Sequence, residues 1–555
     1  MINMTNWNGW GIQGMDKPVP PSAVPFLEEA CGPANPQKDT TLEDLLKCVP
    51  PSRLNYHEDH LSIASDPETR FHYSHGQSFP DWVWMRQGQA NLDEPPFKLE
   101  TGYAPNFQIT DGVAFPESLA EIDELIALAD KRDWNVIPHG GGTSVVGHLT
   151  PQGKTRPTLT VSMKKMNQLL ELNEVDHTAT FQSGVLGPDL EAQLAAKGYT
   201  LGHYPQSFEF STLGGWIATR SSGQQSKLYG RIDESLLGCI VCTEKGHLTL
   251  PHLPASSAGP DLRQIVAGSE GRFGIIAQAT MRVLPLPEQD RVLAFFLPDL
   301  DAGLKAARQI AQSGLQVSML RLSNPKETEV HLAQAGTSRA MSILQRYLAL
   351  RGLKNGSRCL CLVGVTGPRN RVQRTQKAIR SIMAQNQAAF LFRTFESKWQ
   401  ANRFRSAYMR NSLWDLGYGV DTLETALPWH QVPEAMGEVE TAIRSVDPGR
   451  VLAFTHLSHI YETGSSMYTT YVFPLESSAR SNLEKWSKMK TKASEAIISR
   501  GGTISHQHGV GSDHAPFLER EKSSEGIRMI DGLSQVMDPN QRFNPGKLLA
   551  KQARQ

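Results

Sequence analysis

Between Ser118 and Ser144 the chain passes from helix to strand to glycine turn with no linker, and this order restricts the fold more than any bulk property. In SLAEIDELIALADKRDW, Ser118 and Glu121 have capping-box spacing. Leu119, Ile122, Leu125, Ile126 and Ala129 then recur at a helical period. NVIP reads as a short buried strand, and the three glycines of PHGGGTSVVGHLTP follow it directly. TLTVSM and TATFQSGV are strand-like, and GPDLEAQLAAKG is a second helix that opens at Pro188 and stops at Gly198. Together these make an α/β pattern with short strands. Glycine holds regular structure poorly and lets other groups approach the backbone. A glycine turn after a strand leaves several N–H groups to point at an anion such as a diphosphate. G-x-G-x-x-G is absent, and no Gly-Lys-Ser/Thr follows, so neither common phosphate fingerprint applies. On these residues alone, a tight turn and an anion cradle fit equally.

The chain has 555 residues, enough for roughly three or four domain-sized units or fewer large ones. Its 39% hydrophobic content supplies a core. With 56 basic and 56 acidic residues it has no bulk charge for holding nucleic acid. Six cysteines are sparse for a secreted disulfide scaffold and fit a reducing compartment. Cys239 and Cys242 form a C-x-x-C without a second pair at zinc-finger spacing, and read as buried thiols on a strand. No run reaches the ~18 apolar residues of a membrane helix. MINMTNWNGWGIQG lacks the regions of a signal peptide, and AKQARQ does not end in a peroxisomal tripeptide. These features predict a cytoplasmic or peripherally membrane-associated protein. The first hundred residues, rich in Pro and polar side chains, predict irregular wrapping structure.

Two later stretches resolve the ambiguity of the first turn. PQSFEFSTLGGWIATRSSGQQSKLYGRIDE carries Gly214, Gly215 and Gly223 among a run of hydroxyls, and GSEGRFGIIAQATMRVLPLPE sends three more glycines into a strand that Pro285 and Pro287 end. Three such segments are unlike ordinary connections, which run to a few residues. The ordered motifs P-x-GGGTS, S-x-E-F-S-T-x-GGW-x-x-TR-x-SG and GSEG-x-x-G-I-I resemble the FAD-binding domain of the vanillyl-alcohol-oxidase-type flavoproteins. WNGWG at Trp7–Gly11, HQHGVG and DPNQRFNPGKLL extend the resemblance over almost the whole chain, toward the flavoenzymes of ether-lipid synthesis.

The resemblance implies an α+β fold: a two-subdomain FAD-binding domain over 101–288 and an α+β cap domain over 289–500. An N-terminal segment, 1–100, would wrap the molecule, and 501–555 would return to the flavin. FAD would contact Pro138, His139, Gly140, Gly141, Gly142, Thr143 and Ser144 of the first segment, where a Cβ on the glycines would push the phosphates away. In the second it would contact Gln206, Ser207, Ser211, Thr212, Gly215, Thr219, Arg220 and Ser222. In the third it would contact Glu270, Gly271, Gly274, Ile275 and Ile276. Some relatives attach FAD through a histidine in the first loop. Thr143 follows the glycines here, which implies non-covalent FAD.

The implied reaction exchanges the acyl group of acyl-dihydroxyacetone phosphate for a long-chain fatty alcohol, without net redox. It needs a proton acceptor and donor, for which Tyr468, His506 and His508 are the candidates. It also needs cations for phosphate and carboxylate, for which Arg410 and Arg321 are suited by the guanidinium fork. Thr422 and Gln507 complete the implied substrate contacts. The H-x-H-G-x-G run places both imidazoles on one side if the segment is extended. No metal and no nucleic acid are implied; peripheral membrane contact and a homodimer are. The chain departs from the pattern at Gln507, where the family has a third consecutive histidine, at Gln206 in place of an Asp, and at His139 in place of an aliphatic residue. These changes leave open a 2-hydroxy-acid dehydrogenase of the D-lactate or D-2-hydroxyglutarate type, and a flavin-binding protein without activity. Against the dehydrogenase, THLSHIYETG keeps His456 and His459 but lacks the acidic GDGN core of its metal run.

Overall fold

The computed structural model describes residues 5–57, 60–88, 99, 107–152, 155–336, 338–391 and 402–549. The first sheet has the spatial order Ile63–Ala64, Gly112–Ala114, Thr158–Ser162, Asn135–His139. Its last three strands are parallel. They are buried nearly throughout, the alternating Thr158, Thr160 and Ser162 included. The helix Leu119–Arg132 covers this sheet with Ile122, Leu125, Ile126 and Ala129. Ser118 caps it by accepting the Glu121 N–H at 3.2 Å, while the Glu121 carboxylate accepts from Glu117, one residue before the reciprocal position of a capping box.

The second sheet is antiparallel, in the order Leu169–Asn173, Thr178–Gln182, Ile275–Arg282, Leu236–Thr243, Gly246–Leu250. Beyond Arg282 the chain adds a short strand, Leu284–Pro285, which pairs with Tyr199–Thr200 in a separate two-stranded sheet, and the run ends at Pro285 as expected. A proline fits this two-residue edge pair.

The third sheet has seven antiparallel strands: Ala389–Phe390, Gln289–Leu297, Cys359–Gly367, Met319–Ser323, Leu452–Ile460, Gly464–Pro474 and Tyr418–Pro428. Helices Leu300–Gln312, Arg369–Gln385, Val432–Arg444 and Ala479–Ser499 bury one face. Alternation divides each strand between two tasks. Met467, Tyr471 and Phe473 enter the helix-covered core, whereas Tyr468, Thr470 and Val472 face a cavity shared with the first two sheets. The mixture of a parallel sheet, antiparallel sheets and helices is the expected α+β architecture, with two sheets on the FAD-binding side and a third as the cap.

The described N-terminal residues join both sides. Arg53 pairs with Asp111 at 2.7 Å, and the Gln77 N–H donates to Ser144 O. Phe79 packs against Trp414, Phe473 and Trp486 of the cap. Trp10 exchanges two hydrogen bonds with the Asn411 side chain, which seats the WNGWG motif on the helix Met409–Asp415. The expected boundary at residue 100 lies outside the described residues.

Candidate active site

The three glycine-hydroxyl segments converge on one wall of a cavity of about 490 Å³, and the open face of the seven-stranded sheet forms the other. The glycines are required for a further reason that the sequence does not show. A Cβ on Gly141 would lie 1.7 Å from Phe210 O, and one on Gly140 would lie 2.3 Å from Thr212 Oγ1. Both clashes are with the second segment, which packs on Gly141 through its backbone and on Gly140 through the Thr212 side chain. Gly142 is held at φ +71, in the left-handed region. Among the described residues, the amides of Gly140 to Thr143 donate to no protein acceptor. The Ser222 hydroxyl and His139 Nε2 are buried without partners and line the same space. Unpaired amides and orphaned polar atoms at a strand end are what a diphosphate-bearing group satisfies.

Other hydroxyls are spent locally. Thr212 caps the helix Leu213–Thr219 by accepting from Gly215 N–H. Ser211 accepts from the Trp216 indole at 2.7 Å, and Thr219 donates to Gly215 O. Pro138, His139, Ser144, Gln206, Ser207, Gly215, Gly271, Gly274, Ile275 and Ile276 line the cavity. Arg220 does not. It ends its helix in the left-handed region, and its guanidinium goes to Asp233 at 2.7 Å and to Gln264. Glu270 lines the wall as a strut. Its carboxylate accepts the N–H groups of Val510 and Gly511 and pairs with His148 Nε2 at 2.9 Å. His148 Nδ1 in turn lies 2.6 Å from Ser144 Oγ. One buried chain of contacts thus ties the first glycine loop, the third and the HGVG loop together.

On the cap side, Arg410 donates to Gln77 O at 3.0 Å and lies 4.6 Å from the Trp82 ring centroid. It has no carboxylate partner among the described residues, and burial pulls its pKa down. Arg321 also lines the cavity, but it is paired with Glu327 at 2.9 Å. His456 Nδ1 sits 2.9 Å from that carboxylate and 3.2 Å from Arg321. Burial would raise the Glu327 carboxyl, yet His456 and Arg321 hold it well below its usual range.

The Tyr468 hydroxyl donates to Thr422 Oγ1 at 3.1 Å, and its ring lies stacked on His456 and edge-on to His508. Burial pushes the phenol up to about 12, so it carries its proton at neutral pH. Burial pushes His508 down, with Glu424 opposing, so its imidazole is neutral. His508 Nδ1 is buried without a hydrogen bond, 3.8 Å from Glu424.

The two imidazoles of the H-x-H run do not share a side. Residues 506–508 bend, because the consecutive N–H groups of Gln507 and His508 both donate to Glu424 Oε1. Gln507 and His508 reach the cavity, whereas His506 points away to Tyr461 OH at 2.6 Å and stacks on His459. A bulge between Ser458 and Ile460, with φ +45 at His459, turns His459 into the cavity. His148, Glu327, Glu424 and Asn544 belong to the site and were not named from sequence; His148 stood within the opening glycine stretch.

Beyond the polar groups the cavity continues as an apolar arm. Val19, Phe26 and Leu27 of the N-terminal segment face Val330, Phe454 and Val472 across it.

Family comparison agrees with this arrangement. An FAD binding domain model matches residues 110–250, and a model of the C-terminal domain of FAD linked oxidases matches 286–548. The alkyldihydroxyacetonephosphate synthase of Dictyostelium discoideum is 31% identical over 88% of this chain and 78% of its own length. A solved alkyldihydroxyacetonephosphate synthase superposes with a TM-score of 0.82 at 26% identity, covering 99% of each chain. A mitochondrial D-lactate dehydrogenase of Arabidopsis thaliana is more distant, at 23% identity over 81% of this chain and 76% of its own. FAD is accordingly the cofactor of this protein. The chain belongs to the alkyldihydroxyacetonephosphate synthase family of FAD-dependent enzymes.

Proposed function

We propose that this protein exchanges the fatty acyl group of an acyl-dihydroxyacetone phosphate for a long-chain alcohol. The observation that carries the reading is the joining, in one cavity, of unpaired glycine amides, a half-buried guanidinium with no carboxylate partner among the described residues, and an apolar arm. The FAD diphosphate suits the amides, and a phosphorylated lipid precursor has both a head group for the guanidinium and a chain for the apolar arm. When bound, FAD supplies a flavin ring that can accept and return an electron pair. The protein residues do the rest. Arg410 binds phosphate with its unused donors, and Arg321, already half-neutralised by Glu327, orients the ester side. Neutral His508 takes the proton from the carbon bearing the ester and returns it there once the alcohol has replaced the carboxylate. The protonated Tyr468 hydroxyl donates a hydrogen bond to the departing carboxylate, which leaves with the alcohol's proton. The apolar arm holds acyl and alkyl chains in turn and keeps water from competing with the alcohol. Incubation with palmitoyl-dihydroxyacetone phosphate and hexadecanol, with detection of the ether, tests the reading.

FAD is held non-covalently in this account. Thr143 follows the glycines, and His139 Nδ1 is committed to Gly140 O at 2.9 Å. Acid or heat therefore releases intact FAD into the supernatant. Flavin that pellets with the denatured chain contradicts the claim.

The lipid substrates also call for contact with a bilayer. Among the described residues no helix is long and apolar enough to cross a membrane. The helix Arg339–Leu350 instead exposes Ile343 (67%) and Leu350 (88%) beside Arg339, Arg346, Arg351 and Lys354, with no acidic residue from 338 to 356. It follows the helix Pro325–Gln334, whose Val330 and Ala333 line the apolar arm. Basic residues near an anionic surface contribute about 1 kcal/mol each. Binding to vesicles with anionic lipid should thus exceed binding to neutral ones, and Ile343→Asp with Leu350→Asp should lower it at least ~10-fold. Equal sedimentation of variant and parent sinks this proposal.

A further inference from the structure

A second cluster of reactive side chains lies on the outer edge of the FAD-binding side. Cys242, on the strand Leu236–Thr243, stands directly across from His247, on the strand Gly246–Leu250. Side chains so paired share a face, with Cβ atoms ~5 Å apart. The helix Leu119–Arg132 packs on that face, where Ile122 and Cys242 share one core cluster. Asp123, the next residue of the helix, reaches the hairpin, and both its carboxylate oxygens lie 2.9 Å from His247 Nε2. Cys242 is fully buried, and its sulfur makes no hydrogen bond among the described residues. The ligand atoms of Asp123, Cys242 and His247 all lie within 4.8 Å of one another. Tetrahedral zinc, with bonds of about 2.0–2.3 Å, sets its ligand atoms roughly 3.3–3.7 Å apart. Small side-chain rotations close that difference.

We propose that Asp123, Cys242 and His247 form a zinc site that clamps the helix Leu119–Arg132 to the hairpin, with water as the fourth ligand. Thiolate, imidazole and carboxylate are zinc's ordinary ligand classes, and three protein ligands leave one position open. Binding breaks the Sγ–H bond, forms Sγ–Zn and passes the proton to solvent. Cys242 pairs through its backbone with Ile275, which lines the flavin cavity, so the clamp steadies a strand of the cofactor wall. Cys239, three residues earlier, packs into a different core cluster and is no ligand.

The test uses FAD-loaded protein, stripped with a chelator and dialysed against zinc. One zinc per chain is expected. Cys242→Ser and His247→Ala should each weaken binding at least ~10-fold, while Cys239→Ser changes nothing. X-ray absorption at the zinc edge of the unaltered protein should show one sulfur at about 2.3 Å among nitrogen or oxygen neighbours. This measurement decides even where a variant fails to fold. Failure to retain zinc, a zinc shell without sulfur, or unchanged affinity in Cys242→Ser overturns the proposal and leaves Asp123–His247 as an ion pair.

Discussion

Replacing His508 by alanine lowers ether formation by ~100-fold or more, the usual scale for losing general acid–base help, while the flavin spectrum stays normal. Its neutral imidazole is the base of the proposed exchange, and its ring packs edge-on to Tyr468 of the cap. Tyr468→Phe is the companion test. The ring stays between His456 and His508, and only the hydroxyl on Thr422 is lost. A large rate loss in Tyr468→Phe with unchanged unfolding temperature assigns the hydroxyl to the departing carboxylate. If both variants turn over like the parent, the base and the hydrogen-bond donor lie elsewhere. Retention of cofactor matters to the reading, because a colourless His508→Ala protein would mean that the HGVG loop supports the flavin wall and that the rate loss is indirect.

Gly141→Ala is expected to yield a protein that purifies without FAD. The new methyl would sit 1.7 Å from a backbone carbonyl, so the first and second glycine segments must separate. Gly142→Ala is the internal control. There the nearest atoms are the His139 ring at 3.5 Å, and the cost is confined to the left-handed φ, about 1–2 kcal/mol. It should keep much of its flavin, as should Arg410→Ala, which removes a substrate cation from the opposite wall. FAD content by absorbance after gel filtration separates the cases. Equal flavin loss in Gly141→Ala and Arg410→Ala would make Arg410 a structural residue of the cofactor site.

The two substitutions mark how far the sequence can be read. The helix, strand and glycine order near residue 140 was legible because each element carries its own local signal. The packing role of the glycines was not, because Phe210 and Thr212 meet them only after the chain has folded. His506 and His508 mislead for a related reason. Period two holds for a strand, but two successive amides bonded to one Glu424 oxygen cannot belong to an extended chain, and nothing nearby in sequence announces Glu424. Arg220 sits in a motif with cofactor-binding neighbours, yet it serves Asp233 from the left-handed end of its helix. Arg321 combines two readings, since it is both an ion-pair partner of Glu327 and a cavity residue. Glu327 and His456 are 129 residues apart, a separation that no spacing rule covers.

The most direct test of the central claim is a single incubation of the FAD-loaded protein with palmitoyl-dihydroxyacetone phosphate and hexadecanol, with no electron acceptor present. The account predicts that the alkyl ether and free palmitate accumulate in equal amounts while the flavin ends oxidised. It is contradicted if no ether forms under these conditions and D-lactate or D-2-hydroxyglutarate bleaches the flavin instead.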